Sequence, residues 1–547
     1  MTAGSREKSG GPYSQHHVIA TRLHVRVNGQ CYAARMPEAI IRPQKVIWSG
    51  GSRMRILLIN PVCGPRGPLF PLGLGYVASS LLSEGHHVEI RDLDIPKIPP
   101  QKIAPELRGM RFDAVGITGI TTQYRYVKKL CSTIKEQFDV PILVGGVGIT
   151  SAPEIYMSKI PIDVGVMAEG EVTCKEVLNA LERNGHLSEI RGIWYREKNR
   201  VNANPSRPVI TNIDAIPFPA WDLFDMDTYT RCTPESIGGI IGSGGIRSMT
   251  ISTSRGCPFR CGFCYPVFKG LGTRYRSAPN IIEEARVLVD KYHVDYIAFA
   301  DDLFLVDKKR ILEFCALVKK ERLDIKWGAA ARTNLVTREL AREMASAGCI
   351  NLGYGFESAS QSVLDSMKKQ TSVENHRRAI EWTREAGIRV EGSWIIGYPG
   401  ETEETFEETT RFIREVKLNG FNGFNGFNGF FFATPLPSTE LWKITEERNL
   451  FQKSGFSDPE DLLLSYSEFG DTLLINYTTL SNERLREIKT TAERELIKSN
   501  LRSIFASAYR DWKRHSILAL AYGYWRRHGL LKAISRAILF LETILEH

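Results

Sequence analysis

From Met54 onward, short apolar runs alternate with longer amphipathic stretches, and this rhythm orders the chain into elements. Between Met54 and about Asn184 the apolar runs are Ile56–Asn60, Val88–Asp92, Ala114–Thr118, Ile142–Gly145 and Val164–Ala168. Strand-length runs separated by helix-length segments predict a parallel, doubly wound, Rossmann-like α/β sheet with helices on both faces. From Met249 the strand-then-helix unit recurs six times, at 249–254, 295–300, 326–332, 349–356, 389–397 and 428–434. Six such units predict a partial (β/α)6 barrel of the TIM type, with its chemistry at the carboxyl ends of the strands.

The rest of the chain frames these two domains. Residues 1–53 lack a sustained period and read as a poorly structured basic leader, with Met54 a candidate start of the folded chain. No apolar core of signal-peptide length stands at the N-terminus. Residues 185–247 read as a linker: they contain Pro205, Pro208, Pro217, Pro219 and Pro234, a hairpin signal at Glu197-Lys198-Asn199, and a Gly-rich run at 238–245. Within the barrel span of 248–480, Asn-Gly-Phe is repeated four times over 419–430, an insertion expected on the barrel face away from the chemistry. Residues 481–547 read as a helical, basic C-terminal region in which Arg510, Lys513, Arg514, Arg526 and Arg527 interleave with Trp512, Tyr522, Tyr524 and Trp525. Its longest apolar segment, Ile517 to Trp525, is too short to span a bilayer, which leaves peripheral contact with an anionic membrane or packing on the barrel.

Charge sharpens this division. The net +9 is concentrated at the two ends: residues 1–53 carry eight Lys/Arg against Glu7 and Glu38, and residues 502–536 carry eight against Asp511. The body between them is slightly acidic, so no polynucleotide-binding surface is expected on it.

Cysteine placement carries the chemistry. Cys257, Cys261 and Cys264 form a CxxxCxxC motif directly after the first barrel strand, whereas Cys31, Cys63, Cys131, Cys174, Cys232, Cys315 and Cys349 are scattered. The scatter suits a reducing cytoplasm. Three thiolates fall one short of the four that usually hold a 4Fe-4S cluster, so one iron stays open to a further ligand. A structural zinc knuckle would need a fourth Cys or His close by, and the flanking residues offer none.

These residues resemble the radical S-adenosylmethionine (SAM) superfamily. The resemblance implies that the open iron chelates SAM and that an electron from the cluster releases a 5′-deoxyadenosyl radical. It also implies a low-potential electron donor such as flavodoxin or ferredoxin. Residues at the later strand ends fit this picture: Asp301 and Asp302, Arg332, Glu357, and the turn Gly397-Tyr398-Pro399-Gly400. By resemblance Glu357 is expected on the ribose, Arg332 on the carboxylate, and Gly397, Pro399 and Gly400 around the adenine. Asp301 and Asp302 are expected to face SAM or the substrate. Arg274, Arg276 and Ser277 match as well, as cluster or cofactor contacts or as salt-bridging residues.

The first domain resembles the cobalamin-binding domain that precedes the radical domain in a large group of these enzymes. The resemblance rests on Asn60-Pro61, on Pro71 to Tyr76, on Gly145-Gly146-Val147-Gly148-Ile149-Thr150 and on Glu169-Gly170-Glu171. With the turn starting at Gly116 and Thr118, these strand ends are expected to hold the corrin's nucleotide tail. The D-x-H-x-x-G loop is absent, so no histidine from that loop is expected on cobalt. The usual activity of the group is methylation of an unreactive carbon of a small substrate. Oxidative cyclisation, as in the anaerobic Mg-protoporphyrin ester cyclase, and a cofactor-binding sensor without turnover are the alternatives.

Overall fold

The computed structural model describes residues 54–63, 68–198, 200–231, 246–265, 267–268, 271–416, 429–466 and 472–498, together with two short antiparallel strands, Val25–Val27 and Gln30–Tyr32. The rest of the basic leader, the Gly-rich run 238–245, most of the Asn-Gly-Phe repeat and the cationic aromatic segment lie outside the described residues.

The N-terminal sheet is built from β1 (Arg55–Asn60), which leads into α1 (Leu72–Ser83), then β2 (His87–Asp92), β3 (Ala114–Thr118), α2 (Tyr124–Lys135), β4 (Ile142–Gly145) and β5 (Val164–Val166). Helix α3 (Gly170–Glu182) follows, and then the hairpin of β6 (Ile193–Glu197) and β7 (Arg200–Ala203). The strand order is β2-β1-β3-β4-β5-β6-β7. Its first five strands are parallel, and β6 pairs antiparallel with β5. Leu57, Ile59, Val115, Ile142 and Val144 are fully buried, as strands covered on both faces require. The hairpin expected in the linker is present, but it extends this sheet instead of standing free between domains, because β5 would otherwise be an open parallel edge.

The second sheet starts with β8 (Ser248–Ile251) and is followed by a separate two-stranded ladder, β9 (Ser254–Arg255) with β10 (Arg274–Tyr275). Helix α4 (Ala278–Tyr292) then alternates with β11 (Tyr296–Phe299), α5 (Lys308–Lys320), β12 (Lys326–Ala331), α6 (Arg338–Ser346), β13 (Cys349–Glu357), α7 (Val373–Glu385), β14 (Arg389–Ile396), α8 (Glu403–Val416) and β15 (Gly429–Phe432). The order β8-β11-β12-β13-β14-β15 is parallel throughout, a six-stranded half-barrel. Side-chain oxygens of Ser277, Asp307, Thr337 and Ser372 cap the helices that follow the strands, which starts each helix at a defined residue. After β15 come α9 (Glu440–Glu447), α10 (Pro459–Ser465) and α11 (Asn482–Lys498). Among the described residues, no helix is long and apolar enough to cross a membrane.

Candidate active site

The three cysteines lie on the loop that runs from β9 to β10 at the carboxyl end of β8. The middle of that loop is held from several sides. Gly262 donates its N–H to the Met367 carbonyl at 2.9 Å, and its own carbonyl accepts from the backbone N–H groups of Glu440 and Leu441 at the start of α9. A Cβ at position 262 would lie 2.5 Å from the Tyr398 hydroxyl oxygen, so only glycine allows this approach. Cys261 is buried, Cys257 half-buried and Cys264 exposed.

Arg332, at the end of β12, packs 3.6 Å over the Phe259 ring centroid and donates from Nη1 to Cys261 Sγ at 3.3 Å. Its buried Nη2 has no hydrogen-bond partner, as is the case for several other buried polar atoms among the described residues, and so remains a donor open to a ligand. Glu357 ends β13 at φ 63° and accepts from Lys369 Nζ at 2.6 Å, so its carboxylate is buried as an ion pair. His376, bonded to Thr333 Oγ1 at 2.9 Å and to the Ser358 carbonyl, lies behind these residues, and burial lowers its pKa to about 4. The turn after β14 has Gly397 and Gly400 at φ 84° and 92°. Glu401 Oε2 accepts from the backbone N–H groups of both Gly397 and Tyr398, at 2.5 and 2.9 Å.

Burial outweighs those two donors and raises Glu401 from its ordinary 4.5 to about 8. The folded chain thus holds a proton that the unfolded chain releases. The associated stability is full below pH 4.5 and is lost as pH rises through 8. Glu401→Gln should remove this slope. Its melting temperature relative to the natural protein is expected to rise between about pH 5 and about pH 9, as thermal unfolding across that range would register.

Four of the residues singled out in the sequence make interior contacts instead of lining the cavity described below. Asp301 accepts from the backbone N–H groups of Thr253 and Ser254 at 2.5 and 3.1 Å and from the Thr253 hydroxyl, bracing the strand that leads into the cysteine loop. Burial pushes its carboxyl up. Its neighbour Asp302 does line the cavity described below. Asn60 likewise lies outside that cavity, its amide donating to Asp92 at 3.1 Å and to the Tyr229 hydroxyl at 3.3 Å. Gly148 serves close packing, since a Cβ there would sit 2.3 Å from the Tyr156 hydroxyl oxygen. Arg276 forms an interior ion pair with Glu284, the salt-bridging alternative expected for it.

A cavity of about 580 Å³ lies where the two domains meet. Gly116, Thr118, Gly145, Gly146, Gly170 and the Glu169 and Glu171 segment line it from the first sheet, along β3 and in the turns after β4 and β5, and open α/β sheets receive ligands at such carboxyl strand ends. Cys257, Cys261, Cys264, Phe259 and Asp302 line it from the barrel. Much of the remaining wall is apolar, with Ile117, Leu143, Val147, Val166 and Phe268. The glycines thin the first-sheet wall between these side chains, which suits close approach of a large planar cofactor. Arg255 joins the walls by pairing with Glu169 at 2.7 Å and with Glu171. The sequence pattern does not mark Arg255, Lys369, His376 or Glu401 as supports. The one local signal was the position of Arg255 directly ahead of Gly256-Cys257.

Among the described residues, no histidine lines this cavity. Cob(II)alamin bound to the protein is therefore expected to show no nitrogen superhyperfine splitting from a protein histidine. A splitting that persists with the cofactor's own base removed would contradict this.

A half-barrel with three thiols at its mouth, closed against a second α/β domain with a glycine-edged cleft, defines an enzyme that brings two cofactors to one space. The B12 binding domain model matches residues 65–178 and the Radical SAM superfamily model matches residues 251–413. An uncharacterized methyltransferase of Pyrococcus horikoshii is 35% identical over 412 residues, covering 73% of this chain and 84% of that protein. The anaerobic magnesium-protoporphyrin IX monomethyl ester cyclase of Rubrivivax gelatinosus is 27% identical, covering 66% of each. Among solved structures, the radical SAM methyltransferase TsrM of Kitasatospora setae, with cobalamin and a 4Fe-4S cluster bound, shares the fold with a TM-score of 0.60 at 21% identity, covering 73% of this chain and 78% of that one. The chain belongs to the radical SAM superfamily, in the cobalamin-binding branch that contains methyltransferases. It is an enzyme whose cofactors are a 4Fe-4S cluster, SAM and cobalamin.

Proposed function

We propose that the enzyme methylates an unactivated carbon of a small, hydrophobic substrate inside the shared cavity. The observation that carries this reading is that the three cysteines and the glycine-edged strand ends of the first domain line one cavity. In this reading Cys257, Cys261 and Cys264 hold the cluster, and Arg332 stabilises the sulfur of Cys261. The unpartnered Nη2 of Arg332 takes the SAM carboxylate, Glu357 the ribose, and the Gly397 to Gly400 turn the adenine. Gly116, Thr118, Gly145, Gly146 and Gly170 form the cobalamin wall. When bound, SAM and the cluster supply a deoxyadenosyl radical and cobalamin supplies the methyl group. The chain's own contribution is to hold these groups over the substrate and to exclude water with an apolar lining. A flavodoxin or ferredoxin is the proposed reductant.

Product analysis during turnover with candidate substrates tests the reading. A methylase forms S-adenosylhomocysteine and 5′-deoxyadenosine in about equal amounts, since each turnover uses one SAM in each role. Similarity to the Rubrivivax cyclase supports a second reading, oxidative ring closure, whose signature is deoxyadenosine alone with an oxidised, unmethylated product.

The basic aromatic segment 502–536 supports a lipid-like substrate met at an anionic membrane surface. The protein is then expected to sediment with anionic but not neutral vesicles and to be released by salt. Equal binding to both kinds, or to neither, would leave the substrate without a membrane link.

A further inference from the structure

Both feet of the cysteine loop stand on one carboxylate. Arg255 and Arg274 are register partners in the short β9–β10 ladder that closes the loop at its base, and all three cysteines lie between them. Arg255 Nη1 and Arg274 Nη1 each donate to the same oxygen, Glu169 Oε1, at 2.7 Å. The other oxygen, Oε2, accepts the backbone N–H of Ile210 in the connector at 2.7 Å. Glu171 adds a second contact to Arg255, and Arg255 also packs 5.4 Å from the ring centroid of Tyr76 in α1. The side chains of Glu169 and Arg274 are 5% and 8% exposed, so water does not compete for these bonds. Glu169 itself sits between Ala168, held at φ 56°, and Gly170, and all three residues line the first-domain wall of the cavity. A shift of that wall would therefore be felt at both ends of the cysteine loop.

We infer that Glu169 is a positioning residue that couples the two cofactor sites, by fixing the base of the cysteine loop to the wall that receives cobalamin. A cluster that orders the loop base against that wall then favours cobalamin there, and by reciprocity cobalamin favours the cluster to the same degree. The inference rests on the cavity reading given above.

The test titrates hydroxocobalamin into the full-length protein, anaerobically, with and without a reconstituted cluster, and follows the cobalamin absorption. In the natural protein the cluster is expected to tighten cobalamin binding about tenfold, within the usual range for coupled sites. In Glu169→Gln, which keeps the shape but removes the charge that both arginines share, that ratio should fall to about one, whatever change the variant makes to the affinity for cobalamin alone. Glu171→Gln leaves the shared carboxylate in place and should keep most of the ratio. Because each ratio is taken within one variant, general destabilisation does not mimic the effect. If Glu169→Gln fails to fold, Arg274→Gln releases one foot of the loop and should give an intermediate ratio. An undiminished ratio in Glu169→Gln, or in Arg274→Gln where that variant stands in, would overturn the inference, as would a ratio of one in the natural protein with both cofactors bound. Failure of the natural protein to bind cobalamin or to form the cluster would instead bring down the functional reading itself.

Discussion

Replacing Cys257, Cys261 and Cys264 together by alanine is expected to abolish the visible absorption of the 4Fe-4S cluster in anaerobically reconstituted protein. The loop offers three thiols, of which the Cys261 sulfur accepts from Arg332, while backbone bonds and ion pairs hold the loop elsewhere. Its path is fixed by the Gly262 backbone bonds to Met367, Glu440 and Leu441 and by the Arg255 and Arg274 pairs at its base. The triple variant should therefore fold, melt within a few degrees of the natural protein and still bind cobalamin, because the first-domain wall is untouched. Retained cluster absorption in that variant would show that other residues bind the iron.

Gly145→Leu is expected to do the reverse, weakening cobalamin binding about 100-fold while leaving the cluster intact, the scale of effect that overfilling a shaped cavity brings. Gly145 closes β4 on the cavity wall, and a Cβ there meets nothing nearer than Val166 at 3.8 Å, an ordinary contact. The backbone thus tolerates a side chain whose remaining atoms take up space in the cleft. Gly116 is a poorer choice for this experiment, because a Cβ there lies 2.6 Å from Leu58 and would disturb the core. Cobalamin titration together with cluster absorption separates the outcomes: unchanged cobalamin affinity in Gly145→Leu would remove this strand end from the binding wall.

The strands were legible because a parallel strand covered on both faces has to be apolar along its length, as in Ile56 to Ile59 or Ala114 to Ile117. The cysteine motif was legible because its three residues are local in sequence. Asp301 and Asp302 could not be told apart by sequence, since adjacent residues at a strand end turn to opposite sides and only packing decides which meets the ligand. The Glu169 clasp joins residues 86 and 105 positions apart, a separation at which no periodicity carries information. The linker hairpin carried a local turn signal, but its pairing with β5 depends on where the sheet ends, which is a tertiary fact.

The central claim is that the cysteine loop and the cobalamin wall face one another across a single cavity. Paramagnetic resonance of protein holding both a reduced 4Fe-4S cluster and cob(II)alamin tests it most directly, because two unpaired spins in one cavity split each other's signals. The account predicts a dipolar splitting of both signals that vanishes when either cofactor is left out. A spectrum that is the plain superposition of the two separate signals would contradict it.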